Sequence, residues 1–401
     1  MSVSTTVNMI TNNLIFHYDM RNEKSYLGAV TTNLTSETAI GAGSNYNNVG
    51  ASVTTVLTQT NDLYKGVPVW KQTLTPLDAS GVSWLSNGNN PGLGVVTGGG
   101  GGLANRYTGH SIYFKPTVQM HSSPIFTHYS NIGGWQSSTN YDLQPDGWYR
   151  AHVIWYDTVT RSDGKYWAIN PLSAIVNVPI VIYWAAPFKE DSNRSTFVSP
   201  FAQYNFPRTA TTALLDMTGR STIDITNAIY DSSGNITFKG SSVISVTNTG
   251  QFSFRARPFT ISMWINPTAW TNGGDSRTLI DFEDGGWVGF LIRQAGSNTY
   301  LSGNSDQQIS ATRPATGVWT HVCFTCDGTS GYMYFNGVLD YTTTTLTYPT
   351  NSTTAYGIGN NAENTSQGFN GKIDMVSIYD RRLTRDEILQ NYDSTRGRFG
   401  L

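Results

Sequence analysis

Cys323 and Cys326, the only cysteines among 401 residues, stand in "HVCFTCDG" at the spacing of a redox pair or of half a zinc site. Their flanks, "GVWTHVCFTC", are β-branched and aromatic and run into the turn pair Asp327-Gly328, so the stretch reads as a strand ending in a hairpin. On a strand, residues three apart face opposite ways with Cα atoms about 10 Å apart, beyond the roughly 7 Å reach of a disulfide. Zinc needs four ligands, and no second Cys pair exists to complete a site. Both residues are therefore expected to be structural thiols, buried as small hydrophobes.

Carboxylates come next. In "LIDFEDGGW", Asp281 and Glu283 are two apart, hence on one face of a strand and within reach of one substrate, whereas Asp284 points the other way unless a turn has begun. The six histidines, at 17, 110, 121, 128, 152 and 321, are scattered; His121 and His128 share "MHSSPIFTHYS", but seven residues across a proline is no ligand spacing. No Gly-x-Ser-x-Gly elbow or His-Glu-x-x-His pair offers another chemistry. The five glycines of "TGGGGGLANRYTG" lack the Gly-Lys-Ser/Thr ending of a phosphate loop and read as a surface loop.

The elements that must position these residues are strands. Alternating runs separated by Gly, Asn, Asp and Pro recur throughout, and helical periodicity is almost absent. "FTISMWINP" places Phe259, Ile261, Met263 and Ile265 on one face and Thr260, Ser262, Trp264 and Asn266 on the other. "GYMYFNGVLDY" supplies two strands around Asn336-Gly337, the pair best suited to a type I′ turn. With the cysteine strand they predict a three-stranded antiparallel meander. One short helix is predicted in "LTRDEILQNY", with a capping box from Thr384 to Glu387 and a staple from Leu383 to Ile388. The tail "STRGRFGL" reads as a frayed terminus. In the middle of the chain, "GHSIYFKP", "GWYRAHVIWYD", "GKYWAINP" and "VPIVIYWAAPFKE" predict a second β-sandwich.

Composition bounds the function. Charged residues make up 13% of the chain and the net charge is -2, leaving no basic stripe for nucleic acid. The opening "MSVSTTVNMITNN" has neither a charged n-region nor an apolar h-region, and no window approaches the roughly 18 apolar residues of a membrane span, so neither a cleaved signal nor membrane insertion is expected.

"ISMWINP", "GVWTHVCFTCDGTSGYMYFNGVLD" and "FNGKIDMVSIYDRRLTRDEILQNY" resemble, in order and spacing, laminin G-like members of the concanavalin A-like lectin/glucanase superfamily over about residues 235 to 393. The resemblance implies a jelly-roll sandwich. "NLIFHYDMRNEKSYLGAVTTNL" looks like the first strand of such domains in tailed-phage proteins, where it usually continues into a segment resembling "LLDMTGRSTIDITNAIYDSSGNITFKGSSVISV", here about 180 residues away. The expected fold is therefore all-β: two jelly-roll-type sandwiches, one inserted into a loop of the other, and one short C-terminal helix. Residues 1–34 with 207–401 form the laminin G-like sandwich, and residues 35–206 form an inserted carbohydrate-binding-module-like one.

Glucanases of the superfamily carry a pattern resembling Glu-x-Asp-x-x-Glu, but Leu279 stands where the first glutamate belongs, so no enzyme is expected. The resemblance implies instead a structural protein of a phage particle, a capsid decoration or a tail or fibre component, exposed on the virion surface in many copies or as a homo-oligomer. Its expected partners are other virion proteins and host-surface glycans. The rival reading is an architectural cement or fibre protein without sugar binding, and a glycan depolymerase is the third. Sugar contacts are expected at Trp135, Asn131 and Trp287, since both tryptophans follow a Gly-Gly pair where an indole can be left exposed; Trp264 and Trp319, inside strand sequences, are expected in the core. No cofactor is required, and calcium, which family members often hold near sandwich loops, has candidate ligands in Asp281, Asp284, Asn304 and Asp306.

Overall fold

The computed structural model describes residues 8–31, 52–86, 95–97, 105–119, 126–130, 134–138, 141–157, 165–167, 173–192, 197–200, 208–247, 250–252, 254, 257–270, 277–282, 291–295, 298–302, 307–346, 356–360 and 368–401. The fold is all-β, with two α-helices among the described residues. The chain divides into two compact units, Met1–Ala29 with Thr209–Leu401, and Val30–Arg208.

The first unit holds two large antiparallel sheets, besides the two-stranded pair Ile229–Tyr230 and Ile236–Thr237. In the six-stranded sheet the order is Leu14–Asp19, Gly371–Tyr379, Phe259–Pro267, Thr320–Cys326, Gly331–Phe335, Val338–Thr343. Seven shorter strands make the other: Ile223–Asp224, Ile244–Val246, Tyr356–Ile358, Arg277–Asp281, Leu291–Ala295, Asn298–Ser302 and Gln307–Gln308. One core joins them. Phe16, Phe259, Ile261, Met263 and Ile265 from the first sheet share it with Ile244, Val246, Leu279, Tyr356 and Ile358 from the second. The strand Phe259–Pro267 therefore has the face assignment its alternation predicts, and the hairpin turns on Asn336 and Gly337, both at positive φ as a type I′ turn demands.

Trp264 is in the core as expected, although alternation alone would leave its face of that strand in water. Instead it is buried beneath the helix Arg385–Thr395 and the 3-10 turn Arg396–Phe399. The capping box and the staple both form: Thr384 and Glu387 exchange side-chain-to-backbone bonds, and Leu383 and Ile388 pack with Cys323, Tyr334 and Tyr379. The tail is not frayed. Phe399 is buried, lying 4.1 Å from Trp264 at an interplanar angle of 11°, and Arg398 makes two bonds of 2.7 and 2.8 Å to Asp19. The basic residues around Phe399 masked one apolar anchor in an otherwise polar stretch.

Cys323 and Cys326 form no disulfide and are buried on opposite faces of their strand, Cys323 beneath the helix and Cys326 in the inter-sheet core. Burial pushes the Cys323 thiol far up, away from thiolate chemistry.

The second unit is built on a six-stranded antiparallel sheet in the order Val53–Tyr64, Val67–Pro76, Ile180–Ser192, Arg106–Pro116, Tyr149–Asp157, Tyr141–Leu143. Period-2 alternation gives it two buried faces: Leu74, Ile112, Phe114, Ile182 and Trp184 on one, Val67, Val69, Tyr113 and Ala185 on the other. Thr31 and Arg208, near the ends of the unit, exchange two backbone hydrogen bonds of 2.9 Å. A helix absent from the sequence reading, Ala79–Ser86, follows Asp78, whose carboxylate accepts from the Ser80 and Gly81 amides. Asp at that position was the readable signal.

Candidate binding cleft

Polar side chains collect at one end of the six-stranded sheet in the first unit. Met20, Arg21, Asn235, Asn266, Thr268, Trp319, Lys372 and Asp374 line a cleft of about 410 Å³. A β-bulge shapes it. Trp264 pairs with Met375 and Ile265 with Ile373, so Asp374 is left with no partner of its own. Bulges re-aim a side chain out of the regular alternation, and this one presents a carboxylate where the strand would otherwise continue its apolar row.

Asp374 accepts from Arg21 Nε at 2.8 Å, and its backbone carbonyl accepts from the Met20 amide at 2.7 Å. Burial pushes the Asp374 carboxyl up, against the pull of Arg21 and Lys372. The Arg21 guanidinium lies 4.3 Å from the Phe399 ring centre and 5.1 Å from that of Trp319, and also donates to the Arg398 carbonyl. It is thus fixed by an ion pair, two rings and the docked tail. On the opposite rim Lys372 is paired with Asp231. Burial opposes ionisation of Asp231, but Lys372 and the Asn235 and Ser233 amides outweigh it and hold the carboxyl below its usual range. The charges of the cleft are therefore locked by each other. In contrast, the side chains of Asn235, Asn266 and Thr268 make no hydrogen bond among the described residues, and Trp319 is half-exposed.

Such a site offers a half-exposed indole beside fixed charges and beside amide and hydroxyl groups with no hydrogen bond among the described residues. It suits a ligand with both CH faces and hydroxyls. Trp319 was expected in the core. Its position before the strand Thr320–Cys326, outside the paired register, leaves the indole at the rim.

Residues 238–389 match the concanavalin A-like lectin/glucanases superfamily. The matched segment supplies Asn266, Thr268, Trp319, Lys372 and Asp374 to the cleft, while Met20, Arg21 and Asn235 come from outside it. Among solved structures, the binding domain of Paraclostridial Mosquitocidal Protein 1 aligns at 17% identity and TM-score 0.39 over 45% of this chain and 49% of its own. The botulinum neurotoxin serotype G binding domain aligns at 18% and 0.38 over 45% and 48%. Domain 4 of AbnA, a GH43 extracellular arabinanase from Geobacillus stearothermophilus in complex with arabinotriose, aligns at 17% and 0.34 over 46% and 93%. The alignment spans about half the length of the two binding domains. At such scores the likeness identifies neither a ligand nor a shared site. No curated protein matches the chain.

Of the residues singled out from sequence, Asp281 ends the strand Arg277–Asp281 and is buried beside its register partners Leu291 and Gly357. Trp135 lies on the strand Gly134–Ser138, but its side chain falls outside the described residues. Asn131, Asp284, Trp287, Asn304 and Asp306 also lie outside them. No group of three or more metal-ligating side chains occurs among the described residues. The cleft residues were missed because Asn266, Lys372 and Asp374 sit inside strand motifs whose alternation predicts ordinary surface; only the bulge brings them together.

Proposed function

We propose that this protein is a non-catalytic glycan-binding component of a tailed-phage particle, and that its laminin G-like unit holds sugar in the cleft of Arg21, Asn266, Trp319, Lys372 and Asp374. The observation that carries the binding role is the half-exposed Trp319 indole beside the side chains of Asn235, Asn266 and Thr268, which make no hydrogen bond among the described residues. A pyranose lays its CH face on such a ring and its hydroxyls on such amides. The particle setting is supported by the N-terminal segment, which resembles the opening strand of phage laminin G-like domains and here contributes Met20 and Arg21 to the cleft.

Binding is favoured over cleavage by the carboxylates. Glycoside hydrolysis needs a pair, and among the described residues Asp374 is the one carboxylate lining the cleft, already held by Arg21. Leu279, at the position where glucanases carry a glutamate, is packed in the inter-sheet core. A glycan array probed with the wild-type chain and with Trp319→Ala tests the binding role: signals on a defined sugar class that vanish in the variant support it, and an array blank for the wild type refutes it. Mass spectrometry of purified particles tests the setting.

A further inference from the structure

The second unit carries a separate cleft of about 450 Å³, within the roughly 300–1,000 Å³ of small-ligand sites, lined in part by Asp62, Leu63, Tyr64, Lys115, Trp148 and Tyr183. We propose that it binds a carboxylate-bearing sugar, such as a uronic acid or a sialic acid.

Three features point there. The first is a ring platform. Tyr64 and Trp148 stack with centroids 4.1 Å apart and planes 20° apart, and the Tyr64–Tyr113 pair extends the aromatic surface at 5.3 Å. Trp148 and Tyr183 are half-buried, anchored at their base and open at the cleft.

The second is charge. Tyr183 has Lys71 as its Cα partner on one neighbouring strand and Lys115 on the other. Directly paired residues share a face, so both lysine side chains leave the sheet on the face of Tyr183, and Lys115 lines the cleft. Neither makes a salt bridge among the described residues. Lys65 adds a third cation, 5.7 Å from the Tyr64 ring centre and 5.6 Å from that of Tyr113. Aromatic faces bordered by Lys115 and Lys71, neither in a salt bridge among the described residues, match a ring that carries a negative charge at its rim.

The third is a rim built to reach a ligand. The hairpin Val53–Tyr64 and Val67–Pro76 pairs Gln59 with Trp70 and Leu63 with Pro68, so residues between Gln59 and Leu63 loop out of register. Thr60 pins the loop through its bond to the Val69 carbonyl, which leaves exposed Asp62 as an acceptor for hydroxyls. Single-stranded nucleic acid also stacks on rings beside lysines, but one cleft with a carboxylate in its wall provides no track for a phosphate chain.

The test uses the full chain and two probes that differ only at C6, a carboxylate in methyl β-D-glucuronide and a hydroxymethyl group in methyl β-D-glucoside, in titrations followed by saturation-transfer NMR. The glucuronide is expected to bind more tightly. Lys115→Gln and Lys71→Gln, changes at the sheet surface, each reduce that preference by up to about fivefold, the size of one surface ion pair. Trp148→Ala abolishes transfer from both sugars, whereas Trp319→Ala, in the other unit, leaves the glucuronide titration as in the wild type. Equal binding of the two probes, no binding of either, retention of the preference in both lysine variants, loss of binding in Trp319→Ala, or tighter binding of oligo-dT than of the glucuronide would each overturn the assignment.

Discussion

His321 makes the first unit sensitive to acid, and the size of the effect follows from its surroundings. The ring is buried between Trp264 and Tyr392, at centroid distances of 5.3 and 5.9 Å, beneath the C-terminal helix. Nε2 is 2.7 Å from Ser262 Oγ, and Nδ1 has no hydrogen-bond partner among the described residues. Burial disfavours the imidazolium and pushes the pKa down from 6.5 to about 3. The unfolded chain takes up a proton near pH 6.5 that the folded chain refuses until about pH 3. Stability is therefore fully present above pH 6.5 and is lost as pH falls through that window. At about 1.4 kcal/mol per unit, acidification from pH 7.5 to 5 should cost about 2 kcal/mol. His321→Gln preserves a polar atom for Ser262 but cannot titrate. Urea unfolding should therefore show wild type losing about 2 kcal/mol more than the variant between those pH values. Because His17, also pushed down by burial, is present in both proteins, it cancels in the difference. The two cysteines report on this unit alone, so accessibility to 4,4′-dithiodipyridine, which reacts in acid, follows the relevant transition. Equal losses in the two proteins would refute the buried neutral imidazole.

Phe399→Ala should destabilise the first unit by about 3 kcal/mol, since it removes a buried ring stacked on Trp264, and it should weaken sugar binding by releasing Arg21; calorimetry and the glycan array read the two effects. Cys323 and Cys326 should stay reduced, and a bridge in non-reducing peptide mapping would contradict their placement on opposite faces. Replacing residues 30–208 with a short Gly-Ser join should leave a cooperatively melting laminin G-like domain, because Thr31 and Arg208 already bring the two ends of that segment together; a broad, non-cooperative transition would refute an insertion. Calcium added to EDTA-treated protein should raise Tm if the set Asp281, Asp284, Asn304 and Asp306 forms a site, and an unchanged Tm would remove it.

Strand identity and the capped helix were legible because their causes are local. Alternation in "FTISMWINP" sets which side chains meet the core, Asn336-Gly337 sets the hairpin, and Thr384 with Glu387 sets the helix start. The destination of that helix was less legible. Ser262 and His321 look like part of a solvated face when the strands are read one at a time, and with Trp264, expected in the core from its type, they form a layer buried by the folded-back tail. A polar residue beneath a helix and one facing water have the same spacing in sequence.

The sites were hidden for a related reason. Both clefts sit where the β ladder breaks step, at Asp374 in one unit and between Gln59 and Leu63 in the other, and a register shift is decided by pairing with strands distant in sequence. Trp135 and Trp287, read from their Gly-Gly pairs, have side chains outside the described residues. The indoles that line clefts among the described residues, Trp148 and Trp319, stand at the starts of strands, beside Tyr149–Asp157 and Thr320–Cys326, where the ladder holds the backbone and its end leaves the ring half in water. That arrangement serves binding better than a loop does: the ring is already ordered before a ligand arrives, so less conformational entropy is lost when a sugar settles on it.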